Sequence, residues 1–275
     1  MGLRSFLLKR KSNKFRKNHK IGLCLSGGGT RGLSYVGVFK AFEEYNIKFD
    51  AVAGTSIGSL FGAMYASGMT ADEMKQWAMQ AKDSDFRKAK LGFLPSKMDN
   101  LAEKINQILP NKKIEDLNIP YYAVAVDVRT GEEKHFSSGD LAPIITGSCA
   151  IPGVYTPVKY KNMVLVDGGV SNNIPADVLK NNGCDIVISI DCNCTRGGGT
   201  NSNSLVTQFI ASVGIMMKNN SKKGIKTSDL IICPDLKRFN SLKLKGREEM
   251  IKEGYVAVVS KIEEIRKIMS GCVKK

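Results

Sequence analysis

A serine framed by glycines, Gly54-Thr-Ser-Ile-Gly58, follows the apolar run Phe49-Asp-Ala-Val-Ala53 and precedes the small-residue segment Ser59-Leu-Phe-Gly-Ala-Met-Tyr-Ala66. G-x-S-x-G between a strand and a helix is the pattern of a nucleophile elbow, with Ser56 on a tight turn. The chemistry it points to is attack of a hydroxyl on an acyl carbon; the plainer role for Ser56 is to cap the helix that follows. A serine hydroxyl needs a base within hydrogen-bond reach. Only His19 and His135 occur, the first in a basic leader and the second in a hairpin-like stretch, 127–137. No histidine follows His135, so the order serine, acid, histidine is missing. Either Ser56 is not catalytic, or an acid serves as its base. "NMVLVDGGV", residues 162–170, places Asp167 at the end of a short apolar strand, and Gly168 and Gly169 permit a tight turn after it. Asp127 and Asp191 also close strands and are its rivals.

A third group precedes both. "LSGGGTRG", residues 25–32, follows the apolar run 21–25 and opens a helix-like pattern. Gly27, Gly29 and Gly32 spell G-x-G-x-x-G, and Asp50 falls where a ribose-binding acid would, so a nucleotide-binding oxidoreductase is one reading. It leaves Gly54–Gly58 and Asp167–Gly169 without a task. The other reading uses the amides of Gly27, Gly28 and Gly29 as a nest for an oxyanion, with Arg31 adding positive charge. Such donors are worth roughly 3–4 kcal/mol each in an acyl-transfer transition state. Cys149, in "GSCAIPG", is an alternative nucleophile but reads better as a small buried thiol.

These groups need a scaffold that aligns strand ends. Apolar runs at 21–25, 49–53, 120–128, 163–166, 185–191 and 229–233 alternate with helical periodicity at 32–45, 57–67, 70–82, 97–109, 204–218 and 246–269. That alternation predicts a mostly parallel sheet covered on both faces. "DVRTGEE", 127–133, predicts a turn between antiparallel strands, and 195–204 a polar surface loop. The organisation expected is a basic tail, 1–20, and a single domain, 21–270, within which 70–115 has two readings, a helical cap over the site or ordinary packing, as for Met64, Met69, Met74 and Met79.

The 275 residues carry a net charge of +15, and eight of the basic residues lie in the first twenty with no acid among them. The excess is thus concentrated in a tail, and nucleic acid is not expected as a partner. The tail's apolar cluster, Phe6-Leu7-Leu8, is too short for a secretory signal; a solvated arm or attachment to an anionic membrane surface are the two readings. Seven cysteines with no dense framework predict reduced thiols and a cytoplasmic protein, peripheral at the inner face of the membrane if the tail attaches. Cys192-Asn-Cys194 lacks a nearby histidine and makes a poor zinc site. No metal and no cofactor are expected.

With these residues in order, the chain resembles the patatin-like phospholipases, especially compact bacterial members, over roughly residues 20–268. The likeness extends to "GSCAIPGVYTPV" at 147–158, "DGGVSNNIPADVLKNNGCDIVISID" at 167–191 and "REEMIKEGYVAV" at 247–258. The resemblance implies a three-layer α/β/α fold and a Ser56–Asp167 dyad without histidine, which favours Asp167 over Asp127 and Asp191. It also implies an oxyanion hole at Gly27–Gly29 with Arg31, and an acyl lipid as substrate. The expected activity is therefore that of a serine lipid acyl hydrolase, phospholipase A- or lysophospholipase-like. A regulatory protein that keeps the fold without catalysis is the alternative.

Overall fold

The computed structural model describes residues 19–82, 98–109, 112–194, 204–241 and 243–270. The basic tail up to residue 18, residues 83–97 of the expected cap, loop residues 195–203 and Cys272 lie outside the described residues. Strands β1 (Ile21–Leu25), β2 (Ala51–Thr55), β3 (Tyr121–Asp127), β4 (Glu132–Phe136), β5 (Val158–Tyr160), β6 (Met163–Asp167), β7 (Ile186–Ile190) and β8 (Leu230–Ile232) form one sheet. Its path is β5-β6-β3-β2-β1-β7-β8, with β4 paired to β3. The run from β3 to β8 is parallel, and β4, β5 and β6 join antiparallel. β1, β2 and β7 are buried throughout, which is why they read as unbroken apolar runs.

Helices α1 (Ser34–Glu44), α2 (Ile57–Ala66), α3 (Ala71–Gln80), α4 (Asp99–Ile108) and α5 (Leu141–Ser148) follow the first strands. Then come α6 (Ala176–Asn181), α7 (Leu205–Asn219), α8 (Lys222–Thr227), α9 (Arg247–Val259) and α10 (Ile262–Met269). The sheet faces differ in residue size. Ile21, Leu23, Leu25, Val52 and Ile188 point into a broad core with Phe39, Phe42, Phe61 and Met64. Cys24, Ala51, Ala53 and Val187 meet Ile174, Ala176 and Leu179 on the other face. Small side chains there let the short helix α6 sit close, with α8 packed on it. The result is a three-layer α/β/α fold with a mostly parallel mixed sheet.

Several elements follow the sequence reading, and Thr70 and Glu73 close a capping box at the start of α3. Three expectations need correction. The 246–269 pattern is two helices, because Lys261 turns the chain between α9 and α10. Helix α5 went unpredicted: "LAPIITGS" is apolar nearly all round, so it carries no helical stripe. The cysteines are not all reduced thiols, since Cys194 and Cys233 form a disulfide with Cα atoms 5.8 Å apart. Thirty-nine residues separate them in sequence; the parallel pairing of β7 with β8 brings their following turns together. Cys24, Cys149, Cys184 and Cys192 are free and buried.

The decisive feature for the site is the edge of β3. Strand β4 runs along one edge from Ala123 to Asp127. The other edge is shared: β2 ends with Thr55 opposite Val124, and β6 arrives from the opposite direction, ending with Asp167 opposite Ala125. Two strand ends therefore meet head to head at consecutive register positions.

Candidate active site

Ser56 follows the first of these ends. Its backbone has φ 54° and ψ −129°, a conformation that non-glycine residues rarely adopt and that costs on the order of 1–3 kcal/mol. The surroundings hold it there. Its N–H donates to Ser148 Oγ at 2.8 Å, and that hydroxyl donates to the Val124 carbonyl at 2.6 Å. Its carbonyl accepts from the Ser59 amide at 2.8 Å and from Ser59 Oγ at 2.6 Å. A Cβ on Gly54 would run into the Gly58 carbonyl, and one on Gly58 into the Leu25 carbonyl, so this turn needs both glycines. Ile57 and Gly58 open α2, where the first N–H groups have no intrahelical acceptor.

Asp167 follows the second end and is fully buried. Its Oδ1 accepts from the Gly169 amide at 2.8 Å. Its Oδ2 is buried and makes no hydrogen bond of strict geometry. Burial pushes the carboxyl up to about 7, against the opposing pull of the nearby Ser56 hydroxyl and the Gly169 amide. The hydroxyl is thus close enough to act on the carboxyl.

The rivals have other tasks. Asp127 Oδ1 accepts from the Val164 amide at 3.0 Å, the main reason its carboxyl is held low, and it lies two positions beyond Ala125 on β3. Asp191 is raised by burial and accepts from the Asn193 amide at 2.8 Å. His135 pairs with Glu133 at 2.6 Å on the hairpin. Cys149 is buried, and burial followed by the Asp167 charge pushes its thiol up, away from the reactive thiolate.

The glycine loop closes the site from the side of β1. Gly27 is fixed at both ends: its N–H donates to the Asn173 carbonyl at 3.2 Å, and its carbonyl accepts from Asn193 Nδ2. Gly28 and Gly29 lead into a 3-10 turn at Gly29–Leu33. A strap at 239–241 supports that turn, with the Thr30 amide donating to the Ser241 carbonyl at 2.9 Å. Arg31, expected to add charge to the oxyanion site, donates from Nε and Nη2 to the Phe239 carbonyl at 3.0 and 2.8 Å. It is buried and does not line the cleft. Gly32 packs on Ile57, and Gly168 on the Val124 carbonyl.

A cleft opens above Ser56. Its floor is Ser56 with Gly27, Gly28 and Gly29. Ile151 stands on one side, Gly214, Met217 and Lys218 of α7 on another, and Asn193 and Ser241 complete the rim. None of these comes from 70–115; the described parts of that segment, α3 and α4, pack into the broad core through Met74, Ala78, Leu101 and Ile105. Sequence reasoning did not assign Ser148, Asn173 and Asn193, which clamp the elbow and the loop. Ser148 ends α5, a helix without an apolar stripe, and Asn173 and Asn193 lie in turns; only the family-like stretches at 147–158 and 167–191 pointed toward the first two.

The nucleotide reading meets a geometric obstacle. Asp50 precedes β2 and accepts from the Ile21 amide at 2.8 Å, at the amino end of the sheet. The glycine loop lies at the carboxyl end of β1, across the length of the strands.

Comparison with known proteins bears on the fold and the family. The family model described as patatin-like phospholipase matches residues 23–180. Patatin-like phospholipase domain-containing protein 6 of Homo sapiens is 34% identical over 185 residues, covering 62% of this chain and 13% of that protein. An uncharacterized NTE family protein of Mycobacterium bovis is 30% identical over 185 residues, covering 65% of this chain and 51% of its own length. The chain thus spans only a small part of the mammalian relative and about half of the mycobacterial one. Among solved structures, VipD from Legionella pneumophila superposes with a TM-score of 0.60 at 15% identity, covering 90% of this chain and 67% of that one. Human GIVD cytosolic phospholipase A2 gives 0.50 at 12%, covering 98% and 64%. At those identities the likeness is one of fold. With the family model matched over more than half of its residues, the chain belongs to the patatin-like phospholipase family.

Proposed function

We propose that the protein is a serine lipid acyl hydrolase in which Ser56 is the nucleophile and Asp167 the proton acceptor. The observation that carries this is the head-to-head meeting of β2 and β6 on one edge of β3. It sets a strained hydroxyl beside a buried carboxyl raised to about 7. In the forward step Ser56 Oγ bonds to the ester carbonyl carbon while its proton passes to Asp167 Oδ2. The carbonyl electrons move onto oxygen, and amides of Gly28 and Gly29 receive that charge beside the fixed Gly27. Collapse breaks the bond to the alcohol, which leaves with the proton from Asp167, and an acyl group remains on Ser56. Water then repeats the sequence: its proton goes to Asp167, its oxygen to the acyl carbon, and Ser56 recovers its proton as the acid departs.

A carboxyl near 7 suits this work, because it can both take and return a proton at neutral pH. Arg31 acts at one remove by fixing the 239–241 strap under the loop. The apolar side of the cleft and the family both favour an acyl chain on a phospholipid or lysophospholipid as substrate. The expectations of a cytoplasmic protein, peripheral at the membrane, remain part of the proposal. No helix among the described residues is long and apolar enough to cross a membrane.

The test is incubation with a fluorophosphonate, which phosphonylates activated serines, followed by peptide mapping. The expected adduct lies on Ser56 and is lost in Ser56→Ala, together with turnover of lysophospholipid micelles. An adduct elsewhere, or full turnover in Ser56→Ala, overturns the assignment. No adduct and no turnover under all lipid conditions would favour the non-catalytic regulatory reading.

A further inference from the structure

Helix α7 borders the cleft and presents a largely exposed apolar stripe, of which Phe209 also packs on Gly153. Its inner side is committed: Val213 is buried, and Gly214 and Met217 line the cleft. Its outer side carries Leu205, Phe209 and Met216, which are 80%, 52% and 52% exposed. The spacing of 205, 209, 212 and 216 aligns them along one helical stripe, interrupted only by Ser212. Half-exposed apolar residues scattered singly are ordinary, but a stripe on one helix beside a site is a mark of an interaction surface.

Charge identifies the partner. No acid occurs between residues 192 and 228, whereas Lys218, Lys222, Lys223 and Lys226 are exposed on α7 and α8. Across the cleft, Ser241 lies in a second acid-free stretch, 236–247, where Lys237, Arg238, Lys243 and Lys245 are exposed. Lys223 pairs with Asp177 and Arg238 with Glu253, and both remain exposed like the other cations of these two stretches. An exposed apolar helix face on an acid-free, lysine-bearing segment suits a bilayer interface, its apolar side chains in the acyl boundary and the cations among anionic headgroups.

We propose that the outer face of α7, with the exposed cations of α8 and of Lys237, Arg238, Lys243 and Lys245, docks the domain on an anionic phospholipid bilayer beside the cleft. This surface belongs to the folded domain and is separate from the basic leader. The proposal rests on the lipid hydrolase reading for its purpose, since a lipid must leave a bilayer to reach Ser56. Its geometry does not depend on which residue is the nucleophile.

The test is co-sedimentation of the full chain with vesicles of phosphatidylcholine alone and of equal parts phosphatidylcholine and phosphatidylglycerol. Binding to the anionic vesicles, weakened by salt, is expected. The triple variant Leu205→Ser/Phe209→Ser/Met216→Ser should bind them about tenfold or more weakly. It should keep the parent's melting temperature and its turnover of a dissolved short-chain ester. Deleting residues 1–18 from both proteins should leave the difference between them intact. Equal partition of parent and triple variant overturns the proposal, as does equal binding to both vesicle types. A dimer that the triple variant cannot form, without vesicle binding, would assign the stripe to a second copy instead. Ser56→Ala should bind vesicles like the parent. Vesicle binding without any ester turnover would therefore sink the hydrolase reading and leave the docking surface standing.

Discussion

The two strand ends that meet on β3 hold opposite kinds of tension. At Ser56 the tension is in the backbone: φ is positive, and amide, carbonyl and flanking glycines are all engaged in keeping it so. At Asp167 the backbone is ordinary, with φ −51° and ψ 127°, and the tension is electrostatic, in a carboxyl buried with one oxygen unbonded. Strain aims an atom, and desolvation tunes a proton affinity. On the roles proposed for them, each end needs its own kind, because a nucleophile is limited by position and a base by pKa. The difference also separates what mutations should do to stability from what they should do to rate.

The largest effect separates the two at Ser56. Ser56→Gly removes the hydroxyl and should lower kcat/KM by three or more orders of magnitude. It also relieves the positive φ and should leave the melting temperature unchanged or raise it, by on the order of 1 kcal/mol of stability. A glycine variant that unfolds more readily than the parent would mean that the elbow stores no strain.

Asp167→Asn should cost about three orders of magnitude in rate by the same assay. Its stability effect has a definite sign. With the folded carboxyl near 7 and the unfolded one near 4, the native state binds more protons across that window. The parent's stability therefore falls as pH rises from about 4 to about 7 and levels off above. The asparagine variant lacks that loss. It should match the parent near pH 4 and exceed it at pH 8 by on the order of 4 kcal/mol, read from urea melts. Parallel stability curves for the two proteins would remove the electrostatic half of the comparison.

How much of this was legible beforehand can be judged at the same residues. Gly54, Ser56, Gly58 and Asp167 could be picked out because a tight turn and a strand end leave local signatures in glycine spacing and apolar runs. That Asp167 and not Asp127 adjoins Ser56 was not legible from those runs, because it depends on β6 entering antiparallel on the edge where β2 stops. The family resemblance supplied that choice. Arg31 misled for a related reason: its charge was visible, but its direction depends on a carbonyl over two hundred residues away. The Cys194–Cys233 bond and the Ser148 clamp are likewise products of topology and leave no local pattern.

Smaller effects probe the supports. Gly58→Ala should destabilise the fold by roughly 2–4 kcal/mol through its collision with the Leu25 carbonyl, measured by denaturant unfolding. An alanine there that leaves stability intact would show the turn to be roomier than the coordinates place it. Ser148→Ala leaves the Ser56 amide and the Val124 carbonyl without their shared partner and should cost about 1–3 kcal/mol. It should also slow ester turnover while leaving the Asp167 pH window in place, because it loosens the elbow and not the carboxyl. A shift of that window in Ser148→Ala would tie the two strand ends together more closely than described.

The most direct test is the pH dependence of Ser56 phosphonylation by a fluorophosphonate, followed by mass spectrometry in the parent and in Asp167→Asn. The rate in the parent should climb through pH 7 as the carboxylate forms, and the asparagine variant should react slowly at every pH. A parent rate that is flat through pH 7, or an asparagine variant that labels as fast as the parent, would contradict a base at residue 167.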